Sequence, residues 1–86
     1  MAYQFDLSET LERKLKKFQK KNKTLFIACR KKIIEIVENP QSYKHLRHDV
    51  RYRVHVGGSF VLTYRINEKE KLVFFIDVEH HDKAYK

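Results

Sequence analysis

The sequence predicts a small α+β domain in which a helical hairpin precedes a three-strand antiparallel meander. Two apolar patterns with a helical period occupy the first half of the 86-residue chain. Strict alternation of apolar and polar residues, interrupted by Gly57-Gly58, follows in the second half. A chain of this length forms one domain, residues 1–86, whose core is thin enough for a binding partner to add stability.

A short N-terminal strand and a first helix begin the chain. Residues 2–6 alternate, with Tyr3 and Phe5 on one side, which is typical of a strand. Ser8 suits the N-cap of a helix that extends to about Lys21. The apolar stripe of this helix has the i, i+4, i+7 spacing of a face that packs on a core, and it consists of Leu11, Leu15 and Phe18.

A second helix completes an αα-hairpin. Asn22 interrupts the first pattern and suits the cap of the next helix. The second stripe consists of Leu25, Cys29, Ile33, Ile36 and Val37, with Phe26, Ile27 and Ile34 widening it. Asn39-Pro40 ends the helix because proline disfavours helical geometry in the residue before it. Residues 40–49 then form an irregular connector.

The β-hairpin that follows has a register that its alternation predicts. In the first arm, residues 50–56, one side is apolar or aromatic and the other carries guanidinium and imidazole groups. A two-residue turn at Gly57-Gly58 would mix charge into the apolar face, whereas a three-residue turn that includes Ser59 keeps the faces apart. Such a turn needs a positive φ, which a glycine supplies without strain. The predicted pairs are Val56 with Phe60, Val54 with Leu62, Tyr52 with Tyr64, His55 with Val61, Arg53 with Thr63 and Arg51 with Arg65.

The last strand is predicted over residues 71–79. Its apolar run from Leu72 to Ile76 is continuous, which favours a central strand covered on both faces. A five-residue turn, 67–71, would pair Ile66 with Leu72. The further predicted pairs are Tyr64 with Phe74, Leu62 with Ile76, Arg65 with Val73, Thr63 with Phe75 and Val61 with Asp77. The helices would then cover one face of the sheet and leave a basic face open.

The open face of the sheet is the candidate functional site. It is predicted to gather Arg53, His55, Asp77, Glu79 and, from the tail, His81. Metal-free RNA cleavage by transesterification needs a base for the 2′-hydroxyl, a positive group for the transition state and an acid for the leaving 5′-oxygen. Histidine is an acid or a base near neutral pH, and arginine binds phosphate through two N–H donors. The catalytic candidates are Arg53, His55, Arg65, His81 and Tyr85; the alternative is that these are ordinary surface residues of a sheet.

Composition limits the classes of function. Nineteen Lys and Arg against eleven Asp and Glu give a net charge of +8, which favours a polyanion or an acidic protein as partner but also serves solubility.

Cys29 is the only cysteine, so the chain has no disulfide framework, and its place on an apolar stripe predicts a buried hydrophobe. His80-His81-Asp82 lacks metal-ligand spacing, so no metal site is predicted. Without a membrane-length apolar run or signal-peptide features, a cytoplasmic location is expected.

These elements and motifs together resemble the RelE/ParE superfamily of toxins from type II toxin–antitoxin systems, over nearly the whole chain. Residues 52–56 and 61–66 resemble the family's Tyr-Arg-apolar-x-apolar and apolar-Tyr-Arg/Lys-apolar signatures, and Glu38-Asn39-Pro40 closes the helical hairpin as in the family. His55-Val56, the segment 60–65 and His81-Asp82 look most like the YafQ-type branch.

The resemblance implies an mRNA endonuclease, or mRNA interferase, that acts in the ribosomal A site without metal or cofactor and so inhibits translation. It also implies an acidic antitoxin, partly disordered alone, that covers or distorts the active face. His55 matches an active-site histidine of the YafQ branch, His81 its C-terminal acid or base, and Arg53 a basic position that contacts phosphate. Tyr85 matches a terminal aromatic that stacks on the substrate. The expected RNA-binding residues are Arg51, Lys44, His45 and Arg47.

Three hypotheses about function therefore stand side by side. The first is the ribosome-dependent mRNA interferase. The second is a ParE-like gyrase inhibitor, against which His55 and His81 argue because the ParE branch lacks this histidine set. The third is a catalytically decayed module that binds RNA or antitoxin, which follows from two departures: the branch has aspartate at Ser59, and the family has arginine at Val61.

Overall fold

The chain folds as two helices packed on one face of a four-strand sheet, in a computed structural model that describes residues 3–40 and 51–84. The elements are β1 (Gln4–Leu7), α1 (Glu9–Lys21), α2 (Lys23–Glu38), β2 (Arg51–Val56), β3 (Phe60–Asn67), β4 (Leu72–His80) and α3 (His81–Ala84). The strand order is β1-β4-β3-β2, with β1 parallel to β4 and the other pairs antiparallel. The predicted α+β class and β-α-α-β-β-β order are confirmed, while the short α3 had not been predicted.

Side-chain caps begin both long helices. The Ser8 hydroxyl oxygen accepts a hydrogen bond from the Leu11 N–H at 3.0 Å, and the hydroxyl also donates to the Ile76 carbonyl, which ties α1 to β4. The Asn22 side-chain oxygen accepts from the Leu25 N–H at 3.2 Å. Each cap satisfies a backbone donor that would otherwise lack a partner within its helix. Both caps are the residues that the sequence predicted.

The α2 stripe forms the centre of the core. Its buried residues are the five predicted ones, Leu25, Cys29, Ile33, Ile36 and Val37. The expected widening of the stripe is wrong at two positions, because Ile27 and Ile34 are 55% and 52% exposed. A helix that packs on a single sheet buries only one stripe of its surface, and these two isoleucines lie outside it.

The β2–β3 hairpin has the predicted register at all six pairs. Gly57 and Gly58 both have positive φ, +63° and +83°, in the turn that includes Ser59. A Cβ on Gly57 would lie only 2.9 Å from the Leu25 Cδ1 atom, so this position needs glycine for space as well as for conformation. The turn therefore packs directly against the start of α2.

The predicted β3–β4 register is wrong. Asn67 pairs with Leu72 across a four-residue turn, and a bulge opposite Thr63 and Tyr64 shifts the register again, so that Thr63 pairs with Asp77. This arrangement places Val73 and Phe75, both fully buried, on the core face. The remaining pairs, which replace the predicted ones, are Ile66 with Val73, Arg65 with Phe74, Tyr64 with Phe75, Leu62 with Val78, Val61 with Glu79 and Phe60 with His80.

Core packing explains why the bulge is present. Side chains alternate along a regular strand, so Phe75 and Val78 could not both face the helices without one extra residue between them. The bulge at Ile76 supplies it and turns Asp77 and Glu79 to the open face. β4 is central, as predicted, but it is not covered on both faces, because Phe74 is 39% exposed.

A buried tyrosine ties the sheet to the end of the helical hairpin. Tyr64 is fully buried, stacks on Tyr52 with ring centroids 5.0 Å apart, and donates its hydroxyl to the Pro40 carbonyl at 2.8 Å. A buried hydroxyl without such a partner would be costly, so the contact positions the end of α2 over β3. Within the described ranges no helix is long and apolar enough to cross a membrane.

Candidate active site

Two rows of side chains cross the open face of the sheet. One row is Arg53 on β2, Thr63 on β3 and Asp77 on β4; the next is His55, Val61 and Glu79. Cross-strand neighbours stand on the same face about 5 Å apart, so the hairpin register and the bulge together decide which groups meet. Guanidinium and imidazole groups therefore lie side by side with carboxylates at the end of the sheet near the glycine turn.

His55 and His81 form a stacked pair at this end of the sheet. Their ring centroids are 5.5 Å apart and their planes differ by 24°. The position of His81 depends on the glycine turn, because its N–H donates to the Ser59 carbonyl at 2.7 Å as the chain leaves β4 and enters α3. The predicted approach of His81 to His55 from the tail is therefore confirmed as geometry.

The carboxylate of Asp82 lies close to the histidines of the tail. One of its oxygens is 3.8 Å from the His81 Nδ1 and the other is 3.7 Å from the His80 Nδ1. The carboxylate is mostly exposed, so solvent weakens its attraction to a protonated ring.

Val61 is buried although it lies on the face opposite to the helices. It is 1% exposed, yet it is not part of the main core cluster. Its neighbours in the row are His55 and Glu79, and α3 packs against both β3 and β4. The residue that stands where the family resemblance implies arginine is thus a buried apolar side chain between His55 and Glu79.

A depression of about 150 Å³ lies on the open face around the row of Arg53, Thr63 and Asp77. The residues that line it include Arg51, Arg53, Thr63, Asp77, Glu79 and Lys83. Arg53 is half-buried there, whereas Arg51 is exposed. Three cations against two carboxylates leave a net positive charge around a small concavity, which suits a phosphate group.

Asp77 also links this face to α1. Its Oδ1 lies 2.8 Å from the Lys14 Nζ, which in turn donates to the Val78 carbonyl at 2.9 Å. The Lys14 side chain can reach Asp77 past the edge of β4, because β1 pairs with β4 only as far as Phe75. The pair is part-buried, so it anchors α1 against the irregular end of β4 more than an exposed ion pair would.

The structure separates some of the predicted site residues from the histidine pair. Arg65 pairs with Arg51 and Phe74, is exposed, and does not line the depression. Four residues along a strand correspond to about 13 Å, so Arg65 is remote from the row that holds Val61. The geometry therefore brings together Arg53, His55 and His81, with Arg51 at the margin. Four further candidates, Lys44, His45, Arg47 and Tyr85, lie outside the described residues.

Lys83 is a site residue that the sequence prediction missed. It lines the depression because α3 turns the tail back over the end of β4. No pattern in the tail singled out Lys83, because α3 has only four residues, too few for a helical period to be distinctive. Its placement was decided by the contact of His81 with the glycine turn.

Among the described residues, the one cysteine, Cys29, is buried, and the possible metal ligands are not clustered. Burial raises the pKa of the Cys29 thiol from 9.0 to about 11, which keeps it protonated and inert at neutral pH, in line with its predicted role as a buried hydrophobe. Within residues 3–40 and 51–84, no group of three His, Cys, Asp or Glu side chains is placed to hold a metal ion.

Comparison with known proteins agrees with this architecture. The family described as "ParE toxin of type II toxin-antitoxin system, parDE" matches residues 5–85. A protein of Methanocaldococcus jannaschii named "Putative toxin RelE4" is 41% identical over 86 residues, covering 98% of this chain and 92% of the relative. The E. coli RelBE toxin–antitoxin complex contains a chain with a TM-score of 0.78 at 24% identity, covering 92% of this chain and 96% of that one. The RelE–RelB complex of Pyrococcus horikoshii gives 0.69 at 14% identity, covering 98% and 100%.

Proposed function

Because the chain belongs to the ParE/RelE superfamily of type II toxin–antitoxin toxins, we propose that it is a ribosome-dependent mRNA interferase. The observation that carries the proposal is the stacked pair of His55 and His81 beside Arg53 on the open sheet face. Two groups that transfer protons and one that binds phosphate are what metal-free cleavage requires. The enzyme would act in the cytoplasm, on mRNA held in the ribosomal A site.

The proposed reaction is an intramolecular transesterification. One histidine removes the proton of the 2′-hydroxyl, the 2′-oxygen attacks phosphorus, and the bond from phosphorus to the 5′-oxygen breaks. The other histidine supplies the proton that the leaving 5′-oxygen takes up, which leaves a 2′,3′-cyclic phosphate and a free 5′-hydroxyl. Either His55 or His81 can be the base. Arg53, with Arg51 and Lys83 at the rim of the depression, would stabilise the charge that develops on the phosphoryl oxygens.

The ribosome has a clear part in this proposal. The depression is shallow and small, so the described face alone holds little more than one phosphate group. An in-line attack needs a particular sugar–phosphate conformation, and holding the reactants in that geometry is a large part of such a rate enhancement. We propose that the A site presents the mRNA in that conformation and that the histidines complete the reaction there.

An antitoxin is the proposed protein partner. The structural matches include RelE chains from complexes with RelB, and the described surface exposes Phe5, Ile27 and Ile34. An apolar cleft of about 360 Å³ between β1 and the helices includes Phe5, Ile34 and, at its rim, Arg30. An amphipathic helix of an acidic antitoxin suits this cleft, with apolar side chains inside and carboxylates toward Arg30. A short gene for an acidic protein beside this one is the expected genomic setting.

A gyrase-inhibiting toxin is the second candidate function. The observation that favours it is the match of residues 5–85 to the family described by ParE. A toxin of that kind binds a protein target and needs no proton-transferring pair. That function would not explain the stacking of His55 on His81 near a depression lined by three cations. We therefore place the interferase first.

A purified translation system tests the proposal. The wild-type chain should cleave a translated mRNA and leave the same RNA intact without ribosomes, as primer extension would show. Arg53→Ala and His81→Ala should each lower the cleavage rate about 100-fold or more, because each removes a phosphate-binding or proton-transferring group. Lys31→Ala, an exposed charge on α2, is the matched control and should cleave normally.

The same preparations separate the other hypotheses. Inhibition of DNA supercoiling by gyrase without mRNA cleavage would establish the ParE-like function. Binding of ribosomes or antitoxin with neither activity would support the decayed module, for which the buried Val61 is the structural argument. If Arg53→Ala and His81→Ala cleaved like the wild-type chain, the assignment of the site would be wrong.

A further inference from the structure

A second, larger cavity lies around the end of β4 from the histidine pair. It has a volume of about 390 Å³ and lies between α1 and the ends of β3 and β4 on the helix side of the sheet. Its charged and aromatic lining consists of Lys14, Lys17 and Lys83, the carboxylate of Glu79, and the rings of Phe18, Phe60 and His80. A volume of this order is typical of small-ligand sites, and a lining of cations and aromatic rings is typical of nucleotide recognition.

Two of its three lysines are available to bind an anion. The Lys14 ammonium group is held by the Asp77 carboxylate at 2.8 Å and the Val78 carbonyl at 2.9 Å. Among the described residues, no carboxylate lies within 4.0 Å of the Lys17 or Lys83 ammonium group. Both side chains are exposed, so they can close on a phosphate that enters from solvent.

An aromatic wall forms the other part of the cavity. Phe60 packs edge to face with Phe18, with ring centroids 5.9 Å apart, and with His80 at 5.5 Å. Phe60 is half-buried and its position is set by pairing with Val56 and His80. The His80 side chain is 48% exposed, which leaves ring surface on which a base can stack.

The cavity adjoins the candidate active site. Glu79 and Lys83 line both the cavity and the depression next to Arg53, so only the end of β4 and the start of α3 separate the two. A single strand whose scissile phosphate occupies the depression can therefore continue past Lys83 into the cavity. Phosphates along a strand repeat at every nucleotide, and Lys83 and Lys17 are arranged to meet such a series.

We propose that this cavity is a subsite for one nucleotide of single-stranded RNA adjacent to the scissile phosphate. Lys17 and Lys83 bind phosphate there, and the base stacks against His80 and Phe60. The inference rests on the proposed function for its choice of RNA as ligand. The rival occupant is an acidic segment of a protein partner, which would use the lysines but gain little from the aromatic wall.

Binding of an uncleavable RNA to the full chain, purified away from its antitoxin, tests the subsite. The probe is a fluorescein-labelled RNA hexamer of mixed sequence with 2′-O-methyl groups throughout, followed by fluorescence anisotropy between 50 and 200 mM salt. Lys17→Ala should reduce the slope of log affinity against log salt by about 0.7, the value for one phosphate contact with a single strand. Lys83→Ala should reduce it by the same amount, but because Lys83 also lines the depression, the assignment to the cavity depends on Lys17. His80→Ala should weaken binding about fivefold through lost stacking. Lys31→Ala, which removes the same charge elsewhere, should leave the slope unchanged.

Each other result overturns the subsite. If all four variants bound the hexamer with equally reduced affinity, the RNA would be attracted to the basic surface in general. If the wild-type chain did not bind the hexamer measurably, there would be no subsite. Weaker antitoxin binding by Lys17→Ala and Lys83→Ala, with hexamer affinity unchanged, would assign the cavity to an acidic protein. Because the assay measures no cleavage, it separates the two proposals: a chain that cuts mRNA but binds the hexamer independently of these residues keeps its function and loses the subsite. A chain that binds as expected but cuts nothing keeps the subsite and loses the interferase activity.

Discussion

The imidazole ring of His55 on β2 stacks on that of His81 at the start of α3, with ring centroids 5.5 Å apart, although the two residues are 26 positions apart in the sequence. The contact depends on a backbone hydrogen bond from His81 to Ser59, in the same turn that sets the register of His55. The glycine turn thus positions both histidines at once. Four predictions test what this arrangement, and the fold around it, imply.

The first prediction is that the two histidines act as a unit. His55→Ala and His81→Ala should each reduce the cleavage rate about 100-fold or more, and the double variant should lose little beyond the worse single variant. Single-turnover primer extension on programmed ribosomes measures all four rates. Losses that multiply in the double variant would show instead that the rings contribute independently.

The second prediction concerns the glycine turn. Gly58→Ala should lower the free energy of unfolding by about 1–2 kcal/mol, because alanine is strained at positive φ. Gly57→Ala should cost more, since its Cβ would also meet the Leu25 side chain at 2.9 Å, whereas nothing lies within 4 Å of a Cβ on Gly58. Urea unfolding of both variants measures the difference. Equal losses would show that Leu25 moves aside at no cost.

The third prediction concerns the apolar cleft between β1 and the helices. Ile34→Glu should weaken antitoxin binding at least tenfold by placing a charge where an apolar side chain is expected to dock. Ile27→Glu is the matched control, because Ile27 is equally exposed on α2 but does not line the cleft. Both variants should fold, since neither isoleucine is in the core. Titration calorimetry with the antitoxin would contradict the prediction if both variants bound alike.

The fourth prediction concerns the Cys29 thiol. With a pKa raised from 9.0 to about 11, the native thiol should react with iodoacetamide at pH 8 about a hundredfold more slowly than the thiol of the unfolded chain in urea, because only the thiolate reacts. The folded chain binds this proton more tightly, so the contribution of Cys29 to stability is complete below pH 9 and is lost as the pH rises toward 11. Urea unfolding at pH 8 and 10.5, compared with Cys29→Ala, isolates that contribution. Equal alkylation rates in native and unfolded chains would contradict the burial argument.

The two halves of the sheet show why sequence reasoning succeeded in one hairpin and failed in the next. In the β2–β3 hairpin, alternation makes a one-residue slip place charge in the core, and all six predicted pairs are present. The run from Leu72 to Ile76 has no alternation, so several registers bury similar apolar area. The choice among them came from the core, which takes Val73, Phe75 and Val78 together and requires a bulge.

The candidate site likewise combines residues that alternation in the sequence predicted with residues that only the tertiary structure positioned. Arg53 and His55 were placed on the open face by alternation alone, and the structure puts them there. Asp77 and Glu79 were also predicted on that face, but their neighbours were not, because the bulge that sets their pairing with Thr63 and Val61 has no local sequence pattern. Lys83 reached the site through a four-residue helix, which is too short to predict from a local pattern. The catalytic roles of these residues remain predictions, and so does the likeness to the YafQ-type branch.

The sequence by itself determined the α+β class, both helix caps, the buried stripe of α2 and the face on which His55 lies. These depend on interactions between residues close together in the chain, or on a strict period that one arrangement satisfies. Only the tertiary structure decided the β3–β4 register, the exposure of Ile27 and Ile34, and the stacking of His81 on His55. Those features are set by the shape of a core and by a tail that folds back over a turn, so their energies come from contacts between distant segments that no local pattern records.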